Sequence, residues 1–278
     1  ADVPVGIFLS GGYDSSAVTA ILQMHRTDRL NTFTIGFEDG NNEAPFAKEI
    51  ANHIGTNHSE YICTSKEAQE IIPTLPFFFD EPFGDSSAIP TILVSKFSRK
   101  KVTVALSADA GDEIFAGYDL YTTFQKNLNL LFRIPSFSRM GIGKLLSIGY
   151  KFIPSSKQGL KKKIKILSEI LQMNNINCVN RLLESYYELS DNIKNSLFLK
   201  RVGNNKKSFS KELNIPDNLS LALAKDYKGY LQDDILTKVD RAAMSVGLEG
   251  REPFLDHRIV EFIAQLPNDF KHKDGVQN

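Results

Sequence analysis

The sequence predicts an α/β fold: a doubly wound parallel sheet with a large helical insertion and C-terminal helices. Three observations predict it. Short apolar runs alternate with helix-period segments through the first 120 residues. A Gly-Gly turn joins the first run directly to a helix. From about 121 to 225 the pattern is helical. A βαβαβ alternation demands parallel strands joined by crossover helices.

The elements follow in order. Residues 3–9 (VPVGIFL) form a short apolar run with β-branched members, as a buried parallel strand does. Residues 17–22 begin a helix that a serine or aspartate is available to cap. Residues 30–37 read as the second strand. In 43–55, Ala47, Ile50, Ala51 and Ile54 fall on one helical face. A third strand is expected over 58–64, then a helix over 65–79 broken by Pro73 and Pro76. A third helix over 89–99 and a fourth strand over 102–106 complete the alternation. In such sheets ligands bind beyond the carboxyl ends of the strands, near the reversal of strand order. The loops 10–16, 36–41 and 107–113 are therefore expected to meet.

The first of these loops carries chemistry. Ser10-Gly11-Gly12-Tyr13-Asp14-Ser15-Ser16 places two glycines, flanking hydroxyls and a carboxylate between strand and helix. Glycines let the backbone approach an anion, and a helix N-terminus offers it free N–H groups. The lysine of the common phosphate loop is missing, and so is the GxGxxG of dinucleotide binders. Ser-Gly-Gly-x-Asp-Ser resembles instead the pyrophosphate loop of the ATP pyrophosphatases, which cleave ATP between its α and β phosphates. The plain alternative is a glycine-rich turn with capping serines.

Composition narrows the class. The chain has 278 residues, 42% of them apolar, and a formal net charge of zero. That length suits one large or two modest domains. Neutrality removes the electrostatic case for nucleic acid or an anionic membrane. No apolar run reaches the roughly 20 residues that span a bilayer. No signal peptide is visible, and the two cysteines, Cys63 and Cys178, make no disulfide framework. The expectation is a cytoplasmic enzyme. The abrupt start on a core strand predicts a piece of a longer protein.

Ser107-Ala108-Asp109-Ala110-Gly111-Asp112-Glu113 follows the fourth strand. Its three carboxylates suit either a solvated helix-capping turn or a magnesium site. Magnesium takes a few carboxylate oxygens and completes its shell with water and substrate phosphates. Asp14 and Asp112 are the candidate ligands, from adjacent loops. Between 121 and 225 no motif carries chemistry. Leu160, Ile164, Leu167 and Leu171 share a helical face, so the five lysines of 157–165 read as its solvated side. Stretches 174–177 and 204–207 read as loops. In 230–245 a helix is expected with Leu231, Ile235, Leu236 and Val239 inward. Asp240–Arg241 and Glu249–Arg251 read as a buried ion-pair network, and Asp256 as the cap of a last helix.

Taken in order, residues 8–16, 32–37, 80–91 (DEPFGDSSAIPT), 106–118 (LSADAGDEIFAGY), 233–241 (DDILTKVDR) and 249–258 (EGREPFLDHR) resemble the glutamine-hydrolysing asparagine synthetases. The likeness is to their synthetase domain, and particularly to the bacterial branch found with surface-polysaccharide genes. It covers nearly the whole chain and is loosest over 121–220.

The resemblance implies an activity and a set of sites. Aspartate is adenylated by ATP to β-aspartyl-AMP with release of pyrophosphate, and ammonia then displaces AMP. The implied cofactors are ATP and Mg²⁺. Leu9, Ile35 and Phe37 would line the adenine pocket, with Gly36 also in the ATP site. Ser10, Gly11, Gly12, Asp14, Ser15 and Ser16, with Ser107 and Ala108, would complete the ATP site. Asp14 and Asp112 would hold Mg²⁺. Asp109 and Asp112, with Arg241 and Arg251, are the implied catalytic set. Asp85, Ser86, Ser87 and Asp240 would meet the amino acid. The implied partners are ATP, aspartate or another small carboxylic acid, and ammonia from a glutaminase domain. No nucleic acid and no membrane are expected, and a homodimer is among the assemblies allowed.

The implied division is a nucleotide-binding core over 1–120, a helical region over 121–225 and a helical return over 226–278. The family's N-terminal glutaminase, and a lysine expected beyond residue 278, lie outside this sequence. Ala108 and Ala110 stand where relatives mostly carry glycine, and a methyl there can block a ligand or forbid positive φ. Two other functions remain open on this reading: the same chemistry on another acid, such as a sugar acid or a β-lactam-type ring closure, and a degenerate nucleotide-binding module.

Overall fold

A computed structural model describes residues 2–38, 42–173, 179, 181–183, 185, 215, 217–273 and 276–277. Residues 39–41, the loops expected at 174–177 and 204–207, and Cys178 lie outside the described residues. The chain runs β1 (Val5–Phe8), α1 (Tyr13–Met24), β2 (Asn31–Phe37), α2 (Ala44–Ile54) and β3 (Asn57–Cys63). Next come α3 (Ser65–Ile71), α4 (Leu75–Phe78), α5 (Ala88–Ser98), β4 (Val104–Leu106) and α6 (Gly111–Phe115). Helices α7 (Asp119–Phe132), α8 (Ser136–Gly149), α9 (Gln158–Gln172) and α10 (Asn218–Lys228) follow. Last are α11 (Thr237–Met244), β5 (Glu249–Arg251), α12 (His257–Gln265) and a short antiparallel pair, β6 (His272–Lys273) and β7 (Val276–Gln277). The chain divides into two compact units, Ala1–Phe115 with Asp226–Leu266, and Ala116–Lys225 with Pro267–Asn278.

The first unit is a five-stranded parallel sheet in the order β3-β2-β1-β4-β5. The register pairs Phe8 with Phe33, Ile7 with Leu106, and Leu106 with Arg251. The chain winds outward from β1 to β3, then returns to the other side of β1. Order therefore reverses between β1 and β4, and in such sheets ligands bind beyond the carboxyl ends of the strands at that reversal. Alternation along β1 explains why both faces are covered. Ile7 and Leu9 point to one face, where Val18 of α1 and Ala47 and Ala51 of α2 close over them. Phe33, paired with Phe8, faces the other side, where Val94 of α5 and Ala243 of α11 pack. This is the doubly wound arrangement that the sequence predicts.

Local chemistry sets the element ends. Thr64 caps α3 in a reciprocal box with Glu67. The helix expected over 65–79 is cut at its prolines into α3, a 3₁₀ turn at Ile72–Thr74, and α4. The fourth strand begins at Val104, two residues later than expected. Strand β5 has no counterpart in the sequence reading, because Glu-Gly-Arg shows no apolar alternation. A π-helical turn, Leu231–Leu236, leads into α11. Its Leu231 and Ile235, and Val239 in α11, are buried as expected.

In the second unit, Tyr121, Phe124 and Leu128 recur at helical spacing and pack with Leu219, Ala222 and Leu223. Helices α8 and α9 form a hairpin, with Leu171 and Gln172 close against Gly143. The inward stripe of α9 is rotated from the expected one: Ile170 and Leu171 are buried with Leu131, while Leu160 and Leu167 are exposed. No helix among the described residues is long and apolar enough to cross a membrane.

Gly6 in β1 tests this packing. A methyl there would stand 2.6 Å from the Phe33 ring and 3.2 Å from the Asn31 carbonyl oxygen. Phe33 is fully buried and held edge-on by Phe97, so it cannot swing away. Gly6→Ala is expected to destabilise the chain by about 1–3 kcal/mol. Gly84→Ala, which would meet nothing within 4 Å, serves as the control. Urea midpoints of the two variants check the difference.

Candidate functional site

The loop after β1 is held open by its own hydroxyls. The Ser10 amide donates to Ser15 Oγ at 3.2 Å, and the two serine hydroxyls lie 3.0 Å apart. The Ser15 and Ser16 hydroxyls both donate to the Gly12 carbonyl, at 3.3 and 2.6 Å. Gly11 has φ of +90° and sits tight against Phe46 and Ala47, so both conformation and space require glycine. Gly12 precedes α1 in an extended conformation with no side chain capping the helix. The first N–H groups of α1 are thus left for an outside acceptor. Leu9 itself is different: its side chain is buried beneath Ala47 and Ala51. Its carbonyl accepts from the Thr34 hydroxyl. Ile35 and Phe37 are half-buried, and Gly36 leaves room for the Asn42 side chain.

The loop after β4 turns on Ser107, which is buried and donates its hydroxyl to Asp109. The Ser107 amide donates to the Arg251 carbonyl at 3.0 Å, tying the exits of β4 and β5 together. Ala110 has φ of +75°, a conformation that costs an L-residue about 1–2 kcal/mol. Its methyl is buried against Leu231 and Ile235, and Ala108 packs against the cluster of Ile7, Val18 and Leu30. Both methyls therefore lie against core residues.

The two loops meet at Asp14 and Gly111. An added methyl on Gly111 would stand 2.4 Å from Asp14 Oδ2, so the carboxylate lies directly on the glycine. Burial holds the Asp14 carboxyl above its usual range. Burial, then Asp14, then Asp109 raise that of Asp112. Among the described residues neither Asp14 nor Asp112 is in an ion pair. Two partly buried, mutually repelling carboxylates from adjacent loops fit a divalent cation that draws its other ligands from water and phosphate. No cluster of three or more metal-ligating side chains is present among the described residues.

The remaining candidates fall into two groups. Asp85 is fully engaged. Its Oδ1 accepts the Ser87 amide at 2.8 Å, and its Oδ2 accepts the Ser87 hydroxyl at 2.7 Å and Lys238 Nζ at 2.9 Å. Burial pushes its carboxyl up, but these bonds outweigh that and hold it below its usual range. Ser86, between them, is exposed. The expected buried network of Asp240–Arg241 and Glu249–Arg251 is not formed. Arg241 pairs with Asp80 in solvent, and Arg251 pairs with Glu249, two residues away on exposed β5. Asp240 is exposed as well. Lys238 and Glu252 are the residues that the sequence reading missed. Lys238 falls on the buried face of α11, where a basic residue should have been the signal. Glu252 follows β5, a strand that the apolar pattern did not reveal.

Burial, then Asp109, push the Glu252 carboxyl from 4.5 up to about 7, and Asp240 adds to this. The folded chain therefore holds a proton that the unfolded chain releases. Its contribution is complete below about pH 4.5 and is lost as pH rises to about 7. Discounted for partial exposure, the native protein is expected to lose about 1–2 kcal/mol relative to Glu252→Gln across that window. Urea midpoints of both proteins at pH 5 and pH 8 check it.

The family model described as asparagine synthase matches residues 1–277. Asparagine synthetase [glutamine-hydrolyzing] 1 of Bacillus subtilis (strain 168) is 31% identical over 99% of this chain and 42% of its own length. A putative asparagine synthetase [glutamine-hydrolyzing] 2 of Methanocaldococcus jannaschii is 33% identical over 88% of this chain and 46% of its own. A putative asparagine synthetase [glutamine-hydrolyzing] of Mycobacterium tuberculosis (strain ATCC 25618 / H37Rv) is 30% identical over 96% of this chain and 40% of its own. The chain spans less than half the length of these curated relatives. With the match running over residues 1–277, the chain belongs to the asparagine synthase family.

Proposed function

We propose that this chain is the synthetase part of an enzyme that makes asparagine from aspartate, consuming ATP. The observation that carries the reading is the meeting of two loops at the strand-order reversal, with the Asp14 carboxylate lying on Gly111 beside Asp112. A nucleotide triphosphate needs an anion cradle and a place for its counter-cation at one point, and the meeting of these two loops supports that reading.

Ser10, Gly11, Gly12, Ser15 and Ser16 hold the pyrophosphate against the start of α1. The aspartate side-chain carboxylate attacks the α phosphorus, pyrophosphate leaves, and β-aspartyl-AMP remains. Asp109, fixed by Ser107 on the loop after β4, faces the acyl group. Ammonia then attacks the acyl carbon, loses a proton, and expels AMP. Mg²⁺, held by Asp14 and Asp112, would neutralise charge on the leaving pyrophosphate when bound. Ser86, exposed between the engaged Asp85 and Ser87, meets the amino acid. The nitrogen comes from glutamine through a glutaminase domain, or from free ammonium.

The first experiment measures pyrophosphate release by the full-length protein with ATP, Mg²⁺ and ammonium, with and without aspartate. Aspartate-dependent release with AMP and asparagine formed is the expected result. Release with another carboxylic acid alone changes the substrate; ATP binding without release for any acid overturns the catalytic reading.

Gly111→Ala tests the loop junction. Gly111 lies outside the left-handed region, so alanine fits its backbone, but its methyl must displace Asp14. Release is expected to fall about 100-fold, the size of a lost charge contact in the transition state, with the thermal midpoint little changed. An unaffected rate would show that Asp14 has no part in the step.

A further inference from the structure

Lys238 is a lysine where an apolar residue would be expected. Its side chain is only 10% exposed, and that of its partner Asp85 is 19% exposed. Nζ lies 2.9 Å from Asp85 Oδ2 and 2.8 Å from Ser87 Oγ, while Ser87 itself donates to both oxygens of Asp85. The three side chains form a closed set joining positions 153 residues apart. The set continues into α5 through the Thr91 hydroxyl, which donates to the Ser87 carbonyl at 2.7 Å.

Its place follows from topology. Helix α5 feeds β4, and α11 feeds β5, in a sheet whose strands all run the same way. Each helix must run back against the strands, so each begins at their carboxyl edge. Asp85 and Ser87 stand just before α5, and Lys238 is the second residue of α11. The set therefore sits on the edge that carries the phosphate loop and the loop of Asp109 and Asp112. The Tyr230 phenol, pushed up to about 12 by burial and then by Asp234, Asp85 and Glu113, brings the residue after Asp112 into the same neighbourhood.

A buried ion pair adds little net stability, because desolvation cancels much of the attraction. What this one supplies is geometry. It locks the residues on either side of Ser86 and leaves Ser86 exposed at the rim. We propose that Lys238 is a positioning residue for the acid substrate, holding the Asp85–Ser87 turn in the shape that receives the amino acid end of aspartate. This role rests on the amidation reading above.

The test is steady-state pyrophosphate release by the full-length protein and its Lys238→Met, Lys238→Arg and Ser87→Ala variants, with aspartate and ATP varied separately. Lys238→Met is expected to raise the KM for aspartate about tenfold or more, the equivalent of one substrate hydrogen bond, and the KM for ATP less than about threefold. Lys238→Arg restores most of the loss. Ser87→Ala, which keeps the ion pair, gives an intermediate rise and decides the matter if Lys238→Met does not fold. Variants with a lower thermal midpoint or fewer active molecules but an unchanged KM for aspartate would overturn the role and leave the amidation reading standing. A native protein with no aspartate-dependent release would overturn both.

Discussion

The carboxyl edge of the sheet turns on a carboxylate repulsion that no ion pair among the described residues relieves. Asp14 and Asp112 are brought together in partly buried surroundings, and burial raises the carboxyl of each. The reversal of strand order causes this. It makes β1 and β4 neighbours, so the loops leaving them must pass within contact distance. Gly111 makes the approach close enough for a carboxylate to lie on its backbone. On the function proposed above, such a site would take a cation and an anion together, as a metal–nucleotide complex brings them.

Two alanines in and after the loop that follows β4, Ala110 and Ala116, hold a backbone conformation that favours glycine. Ala110 occupies the left-handed region, and so does Ala116 at φ of +64°. Both are buried, at 2% and 0% exposure. The contacts of each methyl offset part of the conformational cost, since burying one is worth about 0.8 kcal/mol. Alanine therefore keeps the turn that glycine would make freely. For Ala110 the methyl packs into the Leu231–Ile235 cluster.

Much of this was legible in the sequence, and the limits have physical causes. β1 and β2 declare themselves through apolar runs, and the turn into α1 through Ser-Gly-Gly-x-Asp-Ser at a strand–helix junction. Those features are local. The failures concern partners far apart in sequence. Arg241 and Arg251 looked like members of one buried network, yet each finds an exposed acid of its own. Lys238 belongs with Asp85, and no spacing rule connects them. The stripe of α9 was misjudged for the same reason: several faces of a Leu/Ile-rich helix are plausible until its neighbour in the hairpin selects one. The placement of Glu252 required knowing that a three-residue run of Glu-Gly-Arg pairs with β4.

That short strand has a second consequence. β5 is outermost in the sheet order, and an outermost strand leaves one row of amides and carbonyls without a ladder partner. Long, flat, apolar edges invite another chain to add itself there. Here the edge is three residues long, and its Glu249 and Arg251 side chains are more than half exposed and paired to each other. An incoming strand would have to strip water from both charges to gain two or three hydrogen bonds. The segment that delivers Glu252 toward Asp109 thus also ends the growth of the sheet.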